Sequence, residues 1–214
     1  TSHLASRGLD PIADLVVVEP RIGEPTVRPD DLASAIGDHG PDLGLVVLAG
    51  VNFATGQLLD IERFTALGHA AGTPVLWDLA HAAGNVLMKL HDWNVDYACF
   101  CSYKYLNAGP GSVSGIFVHE NHLGKHLPQF AGWWGNDPKT RFKIPRTFEP
   151  VNTASAWALS NDPVLSMAAL KASLEIFDEA GMENIRKKSL TLTGYLEQVI
   201  NQIKSENEFA NSNI

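Results

Sequence analysis

The sequence predicts an α/β fold, a mostly parallel central sheet with helices on both faces. Three observations carry that expectation. Short apolar runs at residues 44–50, 75–77 and 97–102 have the length and the β-branched or aromatic character of buried strands. The first two flank a helical stretch from Asp60 to about Ala71, closed by Gly72, Thr73 and Pro74, so strand, helix and strand follow at the spacing of a βαβ unit. The second run ends in Asp78 and the third runs into Lys104, which sets opposite charges at the carboxyl ends where open sheets of this kind bind ligands.

Taken in order, residues 15–18 (LVVV) form a further apolar run suited to a buried strand, followed by a turn-rich stretch with Pro20, Gly23 and Pro25. Asp30 and Asp31 open a helix, where acids suit the positive end of the helix dipole; Leu32, Ala35 and Ile36 share its apolar face, and Gly37 and Gly40 stop it. Residues 51–57 read as a loop and Asp60 as the N-cap of the next helix. Residues 114–119 give another strand and 123–128 a short helical turn. Residues 130–162, with Pro138, Pro145, Pro150 and little periodicity, read as a long loop region of the functional or interfacial kind. Pro163 suits the first turn of a helix whose Val164, Met167, Ala168, Leu170, Leu174 and Phe177 recur at helical spacing as far as Gly181. A second amphipathic helix follows over 183–203. The expected division is a large domain over 1–182 and, over 183–214, a connecting helix or the start of a smaller C-terminal domain.

Composition narrows the function. With 45% apolar and 19% charged residues the chain can bury a core, which excludes a disordered chain. A formal charge of −8 argues against nucleic acid or an anionic membrane, both of which call for clustered lysine and arginine, and favours a small-molecule partner. Cys99 and Cys101, the only cysteines, stand one residue apart in a strand, on one face and poorly placed for a mutual disulfide, which fits a reducing compartment. No stretch approaches the roughly 20 apolar residues of a membrane span and the first residues carry no apolar signal core, so the expected location is cytoplasmic. An opening on Thr1 rather than Met and a polar close, SENEFANSNI, suggest a piece of a longer protein.

An acid and a lysine at neighbouring strand ends have a bland reading, a buried ion pair or two solvated termini. Three details favour chemistry. Lys104 stands between Tyr103 and Tyr105, and the glycine-rich segment after it, Leu106 to Gly111, lets backbone and ligand approach closely. Ser102 and Tyr103 add hydroxyls at the same end, and apolar and aromatic neighbours favour a nucleophilic amine. A nucleophilic lysine with an acid able to face a heteroaromatic nitrogen is what a pyridoxal phosphate site requires: the amine holds the aldehyde and the carboxylate keeps the ring nitrogen protonated. Elsewhere bland readings are preferred. His119, His122 and His126 could gather on one side of a turn but lack the closed set of a metal site. His91, Asp92 and Trp93 read as a loop and cap with Asp92 as N-cap, and Trp77 and Trp157 as core or interface aromatics.

The segments WDLAHAAGNV, LHDWNVDYACFCSYKYLNAGPG, AGWWG, TRF and SNDP, in that order, resemble the kynureninase family up to about residue 200, and SYKYLNAG is the most diagnostic of them. The resemblance implies the large domain of a fold-type I pyridoxal 5'-phosphate enzyme, a homodimer with sites near the subunit interface. It implies hydrolysis of kynurenine or 3-hydroxykynurenine to alanine and the matching anthranilate, in tryptophan catabolism and NAD biosynthesis. By position, Lys104 matches the Schiff-base lysine, Asp78 the acid at the pyridine nitrogen, His81 a histidine beside the cofactor, and Tyr103 a tyrosine that contacts the phosphate and relays protons. Trp133 and Asn161 match cofactor positions that family members contribute across the dimer, and Ala49 falls where members carry Ser or Ala near the cofactor.

Asn52 replaces a histidine found in some relatives. Relatives also draw a phosphate-binding threonine pair, a ring-stacking aromatic and a substrate-carboxylate arginine from regions outside this chain; no motif assigns that last role to Arg141 or Arg146. Two other readings stand beside this one. One is another class V pyridoxal phosphate enzyme of the cysteine desulfurase kind, disfavoured because Cys99 and Cys101 look buried rather than mobile. The other is a non-catalytic fragment.

Overall fold

The computed structural model describes residues 1–125, 127 and 129–211, with side chains as far as residue 205. A short helix, α1 (Ser2–Ser6), precedes α2 (Pro29–His39), and a 3-10 turn at Gly40–Asp42 leads to strand β1 (Val46–Ala49). Helix α3 (Ile61–Ala70) connects β1 to β2 (Val75–Asp78), and β3 (Tyr97–Cys101) and β4 (Ser114–Val118) follow. The chain closes with α4 (Val164–Ala180) and α5 (Met182–Asn211).

The four strands form one sheet in the order β1-β2-β3-β4. β1 with β2 and β2 with β3 are parallel, as expected, while β4 runs antiparallel to β3. The β1-α3-β2 unit is the predicted βαβ crossover. Its helix starts where expected, because the Asp60 carboxylate accepts the Arg63 N–H at 2.9 Å. Gly68 lets α3 lie close on the sheet, since a Cβ there would run into Val75. Leu32 and Ile36 of α2 and Ile61 and Phe64 of α3 cover Val46, Val75 and Trp77 in one buried cluster. Trp77 is fully buried, as the bland reading held, and its indole N–H is satisfied by the Thr65 hydroxyl at 2.9 Å.

Register decides what the other face carries. Ala49 pairs with Asp78, Asp78 with Cys99 and Cys99 with Ile116, so these four side chains form one row across the sheet. Cys99 and Ile116 in that row are exposed, and so is Val47 beside it.

Several expectations are corrected. Residues 15–18 form no strand: β1 is a sheet edge that takes no partner from this run, and Leu15, Val16 and Val17 are exposed while Val18 packs on the core. β propensity without a strand to pair with does not make a strand. Asp92 caps nothing, because residues 91–94 are a turn with no helix after it. Gly37 does not stop α2, which continues to His39. In place of a helical turn at 123–128, a 3-10 turn lies earlier, at Glu120–His122; His126 and Pro128 lie outside the described residues. The long loop is observed, built of 3-10 turns at Trp133–Gly135, Arg141–Lys143 and Ala154–Trp157. α4 ends where Gly181 adopts φ 73°, a conformation glycine takes without steric cost. Helix α5 runs past residue 203 to Asn211, and many apolar side chains of both helices, Leu165, Ile176 and Leu192 among them, face solvent.

Candidate active site

The parallel register brings the carboxyl ends of β1, β2 and β3 side by side, and two backbone bonds tie them: Gly50 N–H to Asp78 O at 2.9 Å between β1 and β2, and Leu79 N–H to Cys99 O at 2.8 Å between β2 and β3. Asp78 therefore stands at the sheet end with an exposed carboxylate, fixed by the Ala80 N–H at 2.9 Å. Ala49 is its neighbour on β1, so a methyl group and not a hydroxyl flanks the acid. Partial burial and the charge of Asp78 push the Cys99 thiol above its ordinary range. Cys99 is exposed and Cys101 buried, which corrects the expectation that both are buried; both are free thiols.

After β2 the chain turns through residues 79–86, and His81 leaves that turn toward the segment after β3. Lys104 Nζ lies 2.9 Å from His81 Nε2. The imidazole is set between Tyr105, edge-on at 5.9 Å between ring centroids, and Phe53, tilted at 6.4 Å. Its backbone is held as well, since Asn85 Nδ2 donates to the His81 carbonyl at 3.1 Å. Gly84, at φ 78°, meets the Tyr105 backbone so closely that a Cβ would stand 2.8 Å from the Tyr105 carbonyl carbon. A cleft of about 810 Å³ opens over these groups, lined by His81, Asn85, Lys104 and Tyr105 on one side and Ile176 and Phe177 of α4 on the other. Ser173 of α4 docks the wall by donating its hydroxyl to the Leu106 carbonyl.

Sequence reasoning named Asp78, His81, Tyr103 and Lys104 as one constellation. The structure puts all four at one end of the sheet but pairs them differently. Asp78 and Lys104 form no ion pair among the described residues, and the partner of Lys104 is His81. Tyr103 is half exposed beside Lys104. Ser102 offers no hydroxyl to a ligand: it is fully buried and bonds the Val113 carbonyl. Trp133 and Asn161 do not line the cleft. Trp133 is exposed with its indole N–H on the Arg141 carbonyl at 3.2 Å, and Asn161 is exposed on the chain before α4. Arg141 is itself buried, stacked 4.2 Å from the Trp134 ring and bonded to the Trp134 and Asn136 carbonyls, so it braces this loop and is not free for a ligand carboxylate.

Tyr105, Asn85 and Gly84 were missed as parts of the site. The only signal for them was their closeness in sequence to His81 and Lys104. Also missed was a second polar cluster at the opposite ends of the strands. Asp96, buried at the start of β3, accepts from the Val75 N–H at 2.8 Å and meets His69 Nε2 at 2.8 Å and His122 Nε2 at 2.6 Å. His119 is buried next to it, stacked on His91, and no group of three metal ligands occurs among the described residues.

The chain is 51% identical over 205 residues to a protein named kynureninase from Koribacter versatilis (strain Ellin345), covering 95% of this chain and 48% of that one. It is 51% identical over 203 residues to a kynureninase from Eremothecium gossypii, covering 94% and 45%. The chain thus spans about half the length of the curated relatives it matches. Among solved structures it is similar to an apo cysteine desulfurase from Thermococcus onnurineus NA1, with TM-score 0.73 at 16% identity over 95% of this chain and 48% of that one, a likeness of fold. A C-DES mutant with glycine covalently linked to its PLP cofactor is similar at TM-score 0.63 and 25% identity, over 79% and 45%. Residues 16–213 match the aminotransferase class-V family, and the chain belongs to that family.

Proposed function

We propose that this chain is the cofactor-holding core of a kynureninase, which hydrolyses L-kynurenine to anthranilate and L-alanine, and 3-hydroxykynurenine to 3-hydroxyanthranilate and L-alanine, in tryptophan catabolism and NAD biosynthesis. One observation carries the reading: a lysine amine held by a histidine at the mouth of a cleft, at the sheet end that bears Asp78, in a chain half identical to proteins of that name.

The residues fit pyridoxal 5'-phosphate. A primary amine opens on a cleft large enough for a substituted pyridine ring, and an exposed carboxylate stands at the neighbouring strand end, flanked by Ala49 and Cys99. Bound there, the cofactor supplies an aldehyde that takes up an amine and a ring nitrogen that draws electrons away from the bond to be broken. With the cofactor bound, Lys104 would hold its aldehyde until a substrate amine took that place, and its amine would then be placed to accept a proton from the substrate α-carbon. Asp78 keeps the ring nitrogen protonated with its carboxylate. Tyr103 would contact the phosphate and relay a proton during cleavage, in which water adds to the ketone carbon that leaves as the anthranilate carboxyl and the proton ends on the carbon that becomes the alanine methyl; His81 would lie beside the ring. Trp133 and Asn161 act from a second copy of the chain, a reading supported by their exposure and their absence from the cleft of their own chain. This makes the whole protein a homodimer. The large domain ends near residue 182, where Gly181 separates α4 from α5, and the two free thiols support a reducing, cytoplasmic location.

The desulfurase reading needs a thiolate nucleophile, and Cys99 suits it poorly: it sits on a strand and its thiol is pushed up by burial and by Asp78. The test is an absorbance spectrum of the chain with added pyridoxal phosphate. A visible band that vanishes in Lys104→Ala is expected, together with release of fluorescent anthranilate from kynurenine by the whole enzyme. No band in the unaltered chain leaves only the non-catalytic fragment reading.

A further inference from the structure

We infer that Arg141 is the positioning residue for Trp133: it fixes the angle at which the indole is presented to the site of a second copy. The inference rests on the reading of Trp133 as a cofactor contact made across the dimer. Arg141 is buried, yet it takes no carboxylate partner among the described residues. Its charge is directed at rings and carbonyl dipoles instead. The guanidinium carbon lies 4.2 Å from the centre of the Trp134 ring and 5.7 Å from that of Trp133, both within cation–π range. Nη2 donates to the carbonyls of Trp134 and Asn136, in and just after the 3-10 turn that carries Trp133. The link is closed through the backbone, because the Arg141 carbonyl accepts the Trp133 indole N–H at 3.2 Å. One residue thus holds the turn by its side chain and the ring by its main chain.

Stability alone does not account for this frame. Among the described residues the buried Arg141 Nε–H meets no acceptor, and Ile144, which closes the turn at Arg141–Lys143, is a β-branched residue at φ 53°. An unmet buried donor and a left-handed β-branched residue both cost stability, and such costs gather where a geometry is used. The turn is also wedged in place. A Cβ on Gly132 would stand 2.2 Å from Leu159 Cα, and one on Gly135 2.4 Å from the Ala156 carbonyl oxygen. What the frame presents is a half-exposed Trp133, met edge-on at 5.3 Å by the exposed Phe142. Stacking on one ring while bonding two carbonyls calls for a planar fork, which lysine lacks.

The rings themselves supply a readout that needs no cofactor. Trp133 and Trp134 stand 5.7 Å apart between centroids at 55°, close and tilted enough for their far-ultraviolet transitions to couple. That coupled circular dichroism signal is the difference between the cofactor-free whole enzyme and its Trp133→Ala variant, and it reports how the two rings are set. Arg141→Lys is expected to collapse the signal and to lower pyridoxal phosphate affinity, followed by absorbance titration, about tenfold. In the Trp133→Ala background the same substitution is expected to cost no further affinity, because its effect passes through the indole. A coupled signal that survives in Arg141→Lys overturns the inference, as does an equal loss of affinity with and without Trp133, which reduces Arg141 to a brace of the loop. Arg141→Met replaces Arg141→Lys if that variant does not keep the helical signal of the unaltered enzyme. Unchanged affinity in Trp133→Ala, with the coupled signal lost in Arg141→Lys, refutes the cofactor reading of Trp133 alone and leaves the hold of Arg141 on the ring in place.

Discussion

Asp96 Oδ1 meets His122 Nε2 at 2.6 Å while Asp96 Oδ2 meets His69 Nε2 and the Val75 N–H, each at 2.8 Å, so one buried carboxylate joins α3, β2, β3 and the turn after β4. Burial pushes this carboxyl up, but the Val75 N–H and the two imidazoles outweigh it and hold it below the usual carboxylate range. A depressed folded value means that the stabilisation is present above the unfolded value, about 4, and is lost as the pH falls through the lower folded value. Asp96→Asn is expected to lower stability at neutral pH by about 2–3 kcal/mol and to flatten the fall in stability below pH of about 4, read as urea midpoints across a pH series. An unchanged acid limb would show that Asp96 is not the titrating link.

Thr65→Val keeps the shape of a buried side chain and removes the acceptor of the Trp77 indole N–H. A fully buried donor left unpaired costs about 1–3 kcal/mol. The unfolding midpoint in urea is expected to fall accordingly with the m-value unchanged, whereas Thr65→Ser is expected to stay close to the unaltered chain.

Gly84→Ala is expected to damage the site as well as the fold. The residue sits at φ 78° and an added methyl would press on the Tyr105 and Leu106 backbone, one residue beyond Lys104. Left-handed backbone and overpacking together cost about 2–4 kcal/mol. The pyridoxal phosphate band is expected to weaken in Gly84→Ala at temperatures where circular dichroism still reports a folded chain.

Asp78→Asn removes the carboxylate at the end of β2 while keeping the contact with the Ala80 N–H. Cofactor affinity, followed by absorbance titration, is expected to fall about 10- to 100-fold, the equivalent of losing one charge-assisted hydrogen bond. An unchanged affinity would detach Asp78 from the ring nitrogen.

Tyr103→Phe tests the proton relay. Single-turnover kinetics of the whole enzyme at saturating cofactor are expected to show a slower cleavage step, by about 10²-fold. A cleavage rate equal to that of the unaltered enzyme would end the role of Tyr103.

Much of this was legible in the sequence, and the reason is local. The βαβ unit follows from apolar runs, the Asp60 cap and the Gly72–Pro74 stop, all of which act within a few residues. Asp78 and Lys104 could be placed at strand ends because parallel strands put their carboxyl ends together. Residues 15–18 failed the same logic, since a strand exists only where a partner edge accepts it.

What the sequence determined by itself was the parallel β1-α3-β2 unit with β3 beside it and the identity of the acid and the lysine at its end, because periodicity and punctuation are written along the chain. Tertiary structure alone decided the partners: His81 rather than Asp78 for Lys104, Ala49 and Cys99 beside Asp78, Thr65 for Trp77, and two histidines for Asp96. Those pairings join residues 12 to 29 positions apart, and a hydrogen bond is set by a few tenths of an ångström and an angle, which only the packed chain supplies.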